Sequence, residues 1–185
     1  EFLNTNEEML NVCSNRLVNY WAALASPDGY TNGVHWSELA DTDSMATYFL
    51  TLELFGNDDA EKKSRYFYWD VGGPIRFGPV WDFDWGVGNT LVDKNIGNPR
   101  SWRAHNNNPR SFYREWTDDP WFCTRLRTLY WSRARDVLAR MVSAGGEIER
   151  YHDYLAEAAA ADEVKWPIKA DSGAARTYET DVTNL

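Results

Sequence analysis

The sequence predicts an α+β protein that is mostly helical, with one β-hairpin near its middle. Long segments toward both ends carry apolar side chains at helical spacing. Between them, residues 65–80 change to short aromatic and β-branched runs around a Gly-Gly-Pro turn, a pattern typical of a hairpin. The chain has 185 residues with 43% hydrophobic content, which is enough to fill the core of one domain. We therefore expect a single domain over residues 1–185.

Two helices are expected before the hairpin. Residues 7–25 form the first, because Asn6 is a suitable N-cap and acidic residues fill the first turn. Residues 26–33 contain Pro, Asp-Gly and Asn-Gly, and these turn signals interrupt the chain. The second helix is expected to start near Asp43 and to end at Gly56.

The last part of the chain is also expected to be helical. Asp118 or Asp119 is the expected cap of a helix that has Pro120 in its first turn, and another helical segment covers residues 146–166. The stretch before them, residues 88–111, is polar and rich in Asn, Gly and Arg. Loops of that length in compact domains are usually functional or disordered.

Acidic side chains lie at both feet of the expected hairpin. Asp58 and Asp59 precede it, and Asp82 and Asp84 follow it within the stretch WDFDWG. Because neighbouring strands lie about 5 Å apart, the two acidic clusters should meet at one end of the hairpin. Such a site suits Mg²⁺, which favours one or two carboxylates with phosphate oxygens and water, and it leaves one carboxylate to accept a proton. The alternative is that all of these are solvated loop acids.

Protein kinases have their catalytic parts in the same order. A loop with the base Asp is followed by a short hairpin and then by the metal-binding Asp. Here Asp59 and Asp82 are 23 residues apart, enough for a loop and a hairpin. We expect their carboxylates to lie within roughly 8 Å of each other, as kinase-like metal positioning requires.

Composition excludes several classes of function. A net charge of −9 argues against a nucleic-acid-binding surface, and no stretch approaches the ~20 apolar residues of a membrane span. Cys13 and Cys123 have no metal-binding spacing, and we predict two buried, unpaired thiols, the alternative being a disulfide between helices. The scattered His35, His105 and His152 are expected to be structural or on the surface, so zinc is not expected. The chain begins without Met or a signal-like segment, and we expect it to be a portion of a longer protein.

Residues 41–89 contain an ordered series of motifs. A Tyr-Phe helix is followed by Glu-Leu-x-x-Asn-x-Asp, an aromatic hairpin, and then Pro-x-Trp-Asp-Phe-Asp with a Gly turn. These positions are held by Glu53, Leu54, Asn57, Asp59, residues 66–68, Pro79, Trp81, Asp82, Phe83 and Asp84. The series closely resembles the signature of the CotH kinase family, named for spore coat protein H. The helix at Pro120 and the late Trp166 are similar to the family as well, so the resemblance extends from residue 7 onward.

The resemblance implies a role for each polar residue near the hairpin. Asp59 takes the place of the catalytic Asp, and Asp82 that of the Mg²⁺-binding Asp. Asp84 is implied to assist the metal or to brace the turn. Ser64 falls where many members carry a metal-facing Asn, and its hydroxyl still offers an oxygen ligand, though a weaker one.

Two neighbouring pairs have alternative interpretations. Lys62 and Lys63 stand where a kinase lysine steadies the transferred phosphate, and surface charge is the alternative. Trp81 and Trp85 flank the acids, either to pack around the turn or to stack on a ligand.

The function that the resemblance implies is an atypical protein serine kinase. It would use Mg²⁺ and ATP to phosphorylate serine in a partner protein, at a secreted, cell-surface or spore-coat location. No glycine-rich loop after a strand precedes the motif, so the chain resembles the mostly α-helical carboxyl-terminal lobe of such a kinase, without most of the nucleotide lobe. One alternative is a non-catalytic surface or adhesion protein with the same fold. Another is a carbohydrate-active domain that uses a carboxylate pair and aromatic platforms.

Overall fold

The computed structural model describes residues 6–57, 63–84, 86–87 and 113–166, and it is an α+β protein. About 65% of it is helix, and its strands form small two-stranded antiparallel sheets. The elements are α1 (Glu7–Ala25), β1 (Tyr30–Thr31), β2 (Val34–His35), α2 (Trp36–Leu39), α3 (Thr42–Phe55), β3 (Phe67–Tyr68), β4 (Arg76–Phe77), α4 (Tyr113–Asp118), α5 (Pro120–Leu129), a π-helical turn (Tyr130–Ala134), α6 (Arg135–Val142) and α7 (Glu147–Lys165). The predicted α+β class is confirmed. No helix in the described ranges is both long and apolar enough to cross a membrane.

The first helix starts and ends as the sequence predicts, but only its last turns are buried. The side chain of Asn6 accepts a hydrogen bond from the backbone N–H of Met9 and so caps α1. Tyr20, Ala23 and Leu24 are buried, whereas Met9 is 41% exposed. The apolar stripe of α1 therefore extends beyond the part of the helix that packs against the rest of the described chain.

A small hairpin and a short helix follow α1, and neither was predicted. Asn32 and Gly33 both have positive φ (50° and 77°), as a tight hairpin turn between β1 and β2 requires. His35 then caps α2 in a capping box with Glu38, which confirms a structural role for this histidine. Strands of two residues are too short to show an alternating pattern in the sequence.

Helix α3 is the central element of the core. Asp41 caps its first turn, and Gly56 ends it in the left-handed conformation (φ 58°). Met45, Phe49 and Leu52 lie on its buried face with at most 1% exposure. The start predicted from the sequence, near Asp43, lies one residue from the observed start at Thr42, because capping residues are strong local signals.

The predicted central hairpin is confirmed, with shorter strands than expected. Phe67 pairs with Phe77 and Tyr68 with Arg76 in antiparallel register. The backbone N–H of Asp41 donates to the carbonyl of Ile75 (2.8 Å), and the N–H of Ile75 donates to the carbonyl of Leu39 (2.9 Å). These bonds join the second half of the hairpin to the start of α3.

The aromatic residues of α4 and α5 close the core over α3. Trp116 lies against Phe77 with ring centroids 5.0 Å apart, and Tyr113 lies edge-on to Phe49 at 5.5 Å. The helix α5 begins as predicted, with Asp119 as N-cap and Pro120 in the first turn. The indole N–H of Trp116 donates to the Tyr20 hydroxyl (2.9 Å), which links α4 to α1.

The described chain leaves the core after the π-helical turn, in which Tyr130 and Ala134 are still half-buried against the core. A π-helical turn joins α5 to α6 without a break, and a turn at residues 143–146 leads into α7. No residue of the π-helical turn, α6 or α7 is buried. The exposed His152 lies on α7, which confirms a surface position for it, and His105 lies outside the described residues.

Both cysteines are free thiols, as predicted, but they are half-buried and not fully buried. The Cys123 thiol donates to the carbonyl of Thr117 (3.1 Å), and burial raises its pKa. The alternative, a disulfide between Cys13 on α1 and Cys123 on α5, is not formed.

Two buried tyrosines provide a test of the core. Burial raises the pKa of Tyr48 to about 12 and also raises the pKa of Tyr20, so both stay neutral at neutral pH. Tyr20→Phe should lower the free energy of unfolding by about 1–3 kcal/mol, because it leaves the buried indole N–H of Trp116 without an acceptor. Tyr48→Phe should change it by less than about 0.5 kcal/mol, because within the described residues the Tyr48 hydroxyl has no hydrogen-bond partner to lose. Urea unfolding of both variants measures the difference, and equal losses would contradict this account of the core.

Candidate functional site

The carboxyl end of α3 meets the segment that follows the hairpin. Asn57, the residue after the capping glycine, is fully buried. Its side-chain amide donates to the backbone carbonyl of Asp82 (2.8 Å) and to that of Trp81 (3.3 Å). The N–H of Val87 donates to the carbonyl of Phe55, the last residue of α3 (2.5 Å). Residues 81, 82 and 87 are therefore held against the helix end by hydrogen bonds.

A short hydrogen bond brings together two of the predicted site residues. The hydroxyl of Ser64 donates to Oδ2 of Asp82 at 2.8 Å. Both residues have left-handed backbone conformations, with φ of 58° and 63°. Such conformations are unfavourable for residues with a side chain and persist where the surroundings enforce them. At Asp82 the backbone is held by the hydrogen bond from the Asn57 side-chain amide to its carbonyl, while its side chain is exposed.

The turn after Asp82 leaves little room for a side chain at Gly86. A Cβ atom there would lie 3.0 Å from the carbonyl oxygen of Phe83 and 3.1 Å from that of Phe55. The Phe83 ring packs edge-on against the Phe55 ring at 6.1 Å. Asp84 lies between these anchors and is exposed. The turn thus presents two carboxylates to solvent from a backbone that is packed on α3.

The remaining predicted site residues have different outcomes. Lys63 is exposed next to Ser64. Asp59 and Lys62 lie outside the described residues, so the roughly 8 Å separation expected between Asp59 and Asp82 remains a prediction. Trp81 is 58% exposed, so packing around the turn does not describe it, and stacking on a ligand stays a prediction. Trp85 also lies outside the described residues.

Asn57 is the functional residue to which sequence reasoning gave no role. It occupies a position of the family motif, but nothing in the neighbouring sequence indicates that its side-chain amide donates to a carbonyl 25 residues later. The sequence signal that could have revealed this role is the position of Asn57 directly after Gly56, the glycine that ends a buried helix. The carbonyl groups at such a helix end need hydrogen-bond partners, and a polar residue there is a candidate for organising them.

The oxygen donors of this site fit part of a Mg²⁺ site. Mg²⁺ is usually held by one or two carboxylates and completes its octahedron with water and phosphate oxygens. Asp82 supplies a carboxylate, Ser64 a hydroxyl, and Asp84 a second carboxylate in the same turn. Across the described ranges there is no group of three or more His, Cys, Asp or Glu side chains arranged to hold a metal. The described residues would therefore bind the ion only together with water, with phosphate or with further ligands.

The buried amide of Asn57 should be essential for the position of the turn. Asn57→Ala leaves the carbonyls of Trp81 and Asp82 without their donor, and we expect it to cost about 1–3 kcal/mol in the free energy of unfolding. Ser64→Ala removes one hydrogen bond to an exposed carboxylate and should cost less than about 1 kcal/mol. Urea unfolding compares the two variants, and a loss for Asn57→Ala no larger than that for Ser64→Ala would contradict the assigned role.

Metal binding is testable with Mn²⁺, a paramagnetic substitute for Mg²⁺. Millimolar Mn²⁺ should broaden the NMR amide signals of Ser64 and Asp82, and Asp82→Asn should abolish the effect. Asparagine is the suitable replacement because it keeps the shape of aspartate and tolerates the left-handed conformation, whereas alanine adds backbone strain. Asp70→Asn, which removes an exposed carboxylate on the turn of the central hairpin, is the matched control and should keep the broadening. Equal broadening in both variants would show that the ion does not use Asp82.

Comparison with known proteins agrees with this arrangement of helix, hairpin and acidic turn. The chain matches the family described as CotH kinase protein over residues 3–185. No curated protein and no solved structure matches it significantly. The match includes α3, the central hairpin and the turn with Asp82 and Asp84, so the chain belongs to the CotH kinase protein family.

Proposed function

We propose that this chain is the carboxyl-terminal lobe of an atypical protein serine kinase that transfers the γ-phosphate of ATP in a Mg²⁺-dependent reaction. Membership of the CotH kinase protein family supports a kinase-like function. The acceptor in this proposal is a serine of a partner protein. The secreted, cell-surface or spore-coat location is carried as part of the proposal, and it rests on the family resemblance alone.

The observation that carries the proposal is the way in which Asp82 is held. Its backbone is bound by a buried amide, its φ is positive, and one carboxylate oxygen accepts the Ser64 hydroxyl. Oδ1 has no hydrogen-bond partner within the described residues, and the side chain is exposed. A solvated loop acid requires none of these supports, whereas a metal ligand in phosphoryl transfer requires a fixed position.

Each residue has a separate task in the proposed reaction. Bound Mg²⁺ would neutralise charge on the phosphate oxygens during transfer. Asp82 would hold the ion, and Ser64 and Asp84 would add oxygen ligands or orient the Asp82 carboxylate. Asp59 would accept the proton of the serine hydroxyl as it attacks. Lys62 and Lys63 would stabilise the transferred phosphate by their positive charge.

The lobe alone is not expected to have kinase activity. In phosphoryl transfer most of the catalysis is positioning and charge neutralisation, and the phosphates need contacts from both lobes. We therefore expect the 185-residue chain to have little or no kinase activity, and a longer protein that contains it to be active.

The test is phosphate transfer from radiolabelled ATP to a serine-rich protein. In the longer protein Asp82→Asn should abolish transfer, because the metal ligand loses its charge. Asp59→Asn should lower kcat by about 100-fold or more with a smaller effect on nucleotide affinity, because Asp59 acts on the acceptor hydroxyl. Asp70→Asn should leave both unchanged, since this residue lies on the turn of the central hairpin.

Two results would overturn the proposal. One is full activity of the Asp82→Asn variant. The other is an inactive longer protein under conditions in which it is folded and binds Mg²⁺ and ATP. Either result would favour the alternative function, a non-catalytic surface or adhesion protein that retains the fold.

A further inference from the structure

Two open clefts in the described surface adjoin each other at Arg16 of α1. The larger cleft has a volume of about 810 Å³ and the smaller one about 640 Å³, both within the usual range of ligand-binding clefts. Arg16 and Gly72, on the turn of the central hairpin, belong to the linings of both. The two clefts therefore form one surface groove, which we call the Arg16 groove.

The two parts of the Arg16 groove differ in chemistry. The smaller cleft is lined mainly by apolar and aromatic residues, among them Met9, Val12, Cys13, Phe67, Tyr68 and Trp69. The larger cleft is lined mostly by charged residues and by residues that carry a hydroxyl group, the latter being Ser37, Thr42, Thr124 and Thr128. Arg16 thus lies at the boundary between an apolar and a polar surface.

Arg16 differs from the other charged residues of the larger cleft, because no described residue pairs with it. Its Nε is inaccessible to solvent and has no hydrogen-bond partner there. The other charged residues all have polar partners within the described chain: Asp43 with Arg125, Asp41 with Arg76, and Glu38 with the backbone N–H of His35. Glu8, the acid of the smaller cleft, lies about 12 Å from Arg16 along α1, which is too far for an ion pair.

The guanidinium of Arg16 is held in place although it is not paired. Its Cζ lies over the Trp69 ring, 5.7 Å from the centroid, and such stacking restricts the plane of the guanidinium. Since Nε is screened from solvent, the terminal nitrogens are the part that a ligand in the groove can reach. A positioned guanidinium with unused donors is well suited to bind a carboxylate.

We propose that the Arg16 groove binds an acidic-apolar segment of a partner protein. A carboxylate side chain of the segment accepts hydrogen bonds from Arg16, apolar residues on one side of it pack in the smaller cleft, and polar residues on the other side occupy the larger cleft. This interaction does not depend on the proposed kinase activity. The larger cleft is lined by the amino end of α3, and the two ends of that helix are about 21 Å apart, with Asp82 at the other end.

The groove fits a peptide better than two other ligands that carry an anionic group. A fatty acid also has an apolar part and a carboxylate, but its chain ends at the carboxylate and would leave the larger cleft empty. A phosphate group carries up to two negative charges, and Asp41 and Asp43 in the same lining disfavour the second one. A peptide with a single carboxylate and apolar and polar neighbours matches the whole groove.

Degenerate peptides test the proposal on the full 185-residue chain. Each fluorescein-labelled library has a block of mixed Leu, Ile, Val, Phe and Met, one fixed residue, and a block of mixed Ser, Thr and Gly, and it is made in both directions. The fixed residue is Glu, Gln or Lys. Fluorescence anisotropy should show the Glu library binding at least tenfold more tightly than the other two, because only Glu offers a carboxylate to Arg16.

Substitutions at Arg16 should remove this preference. Arg16→Met keeps a long aliphatic side chain without the charge, and it should weaken binding of the Glu library at least tenfold, to the level of the Gln library. Arg16→Lys keeps the charge but not the planar donor pair, and it should give an intermediate affinity. Arg133→Met is the matched control, because it removes an exposed arginine of the π-helical turn outside the groove, and it should bind like the wild-type chain. Circular dichroism confirms that each variant is folded.

NMR on the wild-type chain locates the bound peptide without any substitution. The Glu library should shift the amide signals of Val12, Arg16 and Trp69 and leave those of Ser64 and Asp82 unchanged. The proposal is overturned if the Glu library does not bind below about 1 mM, if the Gln library binds equally well, or if folded Arg16→Met binds like the wild-type chain. Decanoate is titrated separately, and shifts of the same signals by decanoate without peptide binding would assign the groove to a fatty acid and overturn the proposal.

Discussion

A buried helix must satisfy the hydrogen-bonding groups at both of its ends, and this constraint on α3 organises the protein. At the amino end, Asp41 caps the helix and its own N–H donates to the carbonyl of Ile75. At the carboxyl end, the Phe55 carbonyl accepts from the N–H of Val87, and Asn57 binds the carbonyls of the acidic turn. The partners at both ends come from one continuous stretch of chain, residues 75–87.

Simple dimensions explain how one stretch serves both ends. The 14 residues of α3 span about 21 Å. The chain from residue 75 to residue 82 contacts α3 at both ends and between them. Ile75 accepts a hydrogen bond from the N–H of Asp41, the N–H of Phe77 donates to the Ser44 hydroxyl (3.2 Å), and Asn57 binds the carbonyl of Asp82. The second half of the hairpin and the segment after it therefore run alongside α3 and arrive at its carboxyl end with Asp82 in place. The acidic turn is positioned by the length of the helix and by the buried amide that receives it.

The site and the last helix, α7, show opposite relations between burial and exposure. At the site the anchoring atoms are buried and the chemical groups are exposed: Asn57 is inaccessible to solvent, while the Asp82 carboxylate is open to it. This division lets a rigid scaffold fix an accessible ligand. In α7, large apolar side chains that would normally be buried, such as Tyr154 and Val164, are exposed. The first pattern supports the chemistry proposed at Asp82.

The sequence by itself determined the features that depend on neighbouring residues. Asn6, Gly56, and Asp119 with Pro120 marked helix ends, because capping and φ preferences act within one turn. The change to short aromatic runs located the central hairpin, and the motif with Asp82 and Asp84 identified the family.

Only the tertiary structure decided which of these features come together. The apolar stripe of α1 did not reveal that its first half is exposed, because burial depends on what the rest of the chain covers. The bonds from Asn57 and Ser64 to Asp82 join residues 25 and 18 positions apart, and no local pattern encodes a contact over such separations. The sequence supplied the carboxylates, and packing of the chain along α3 decided where they are held.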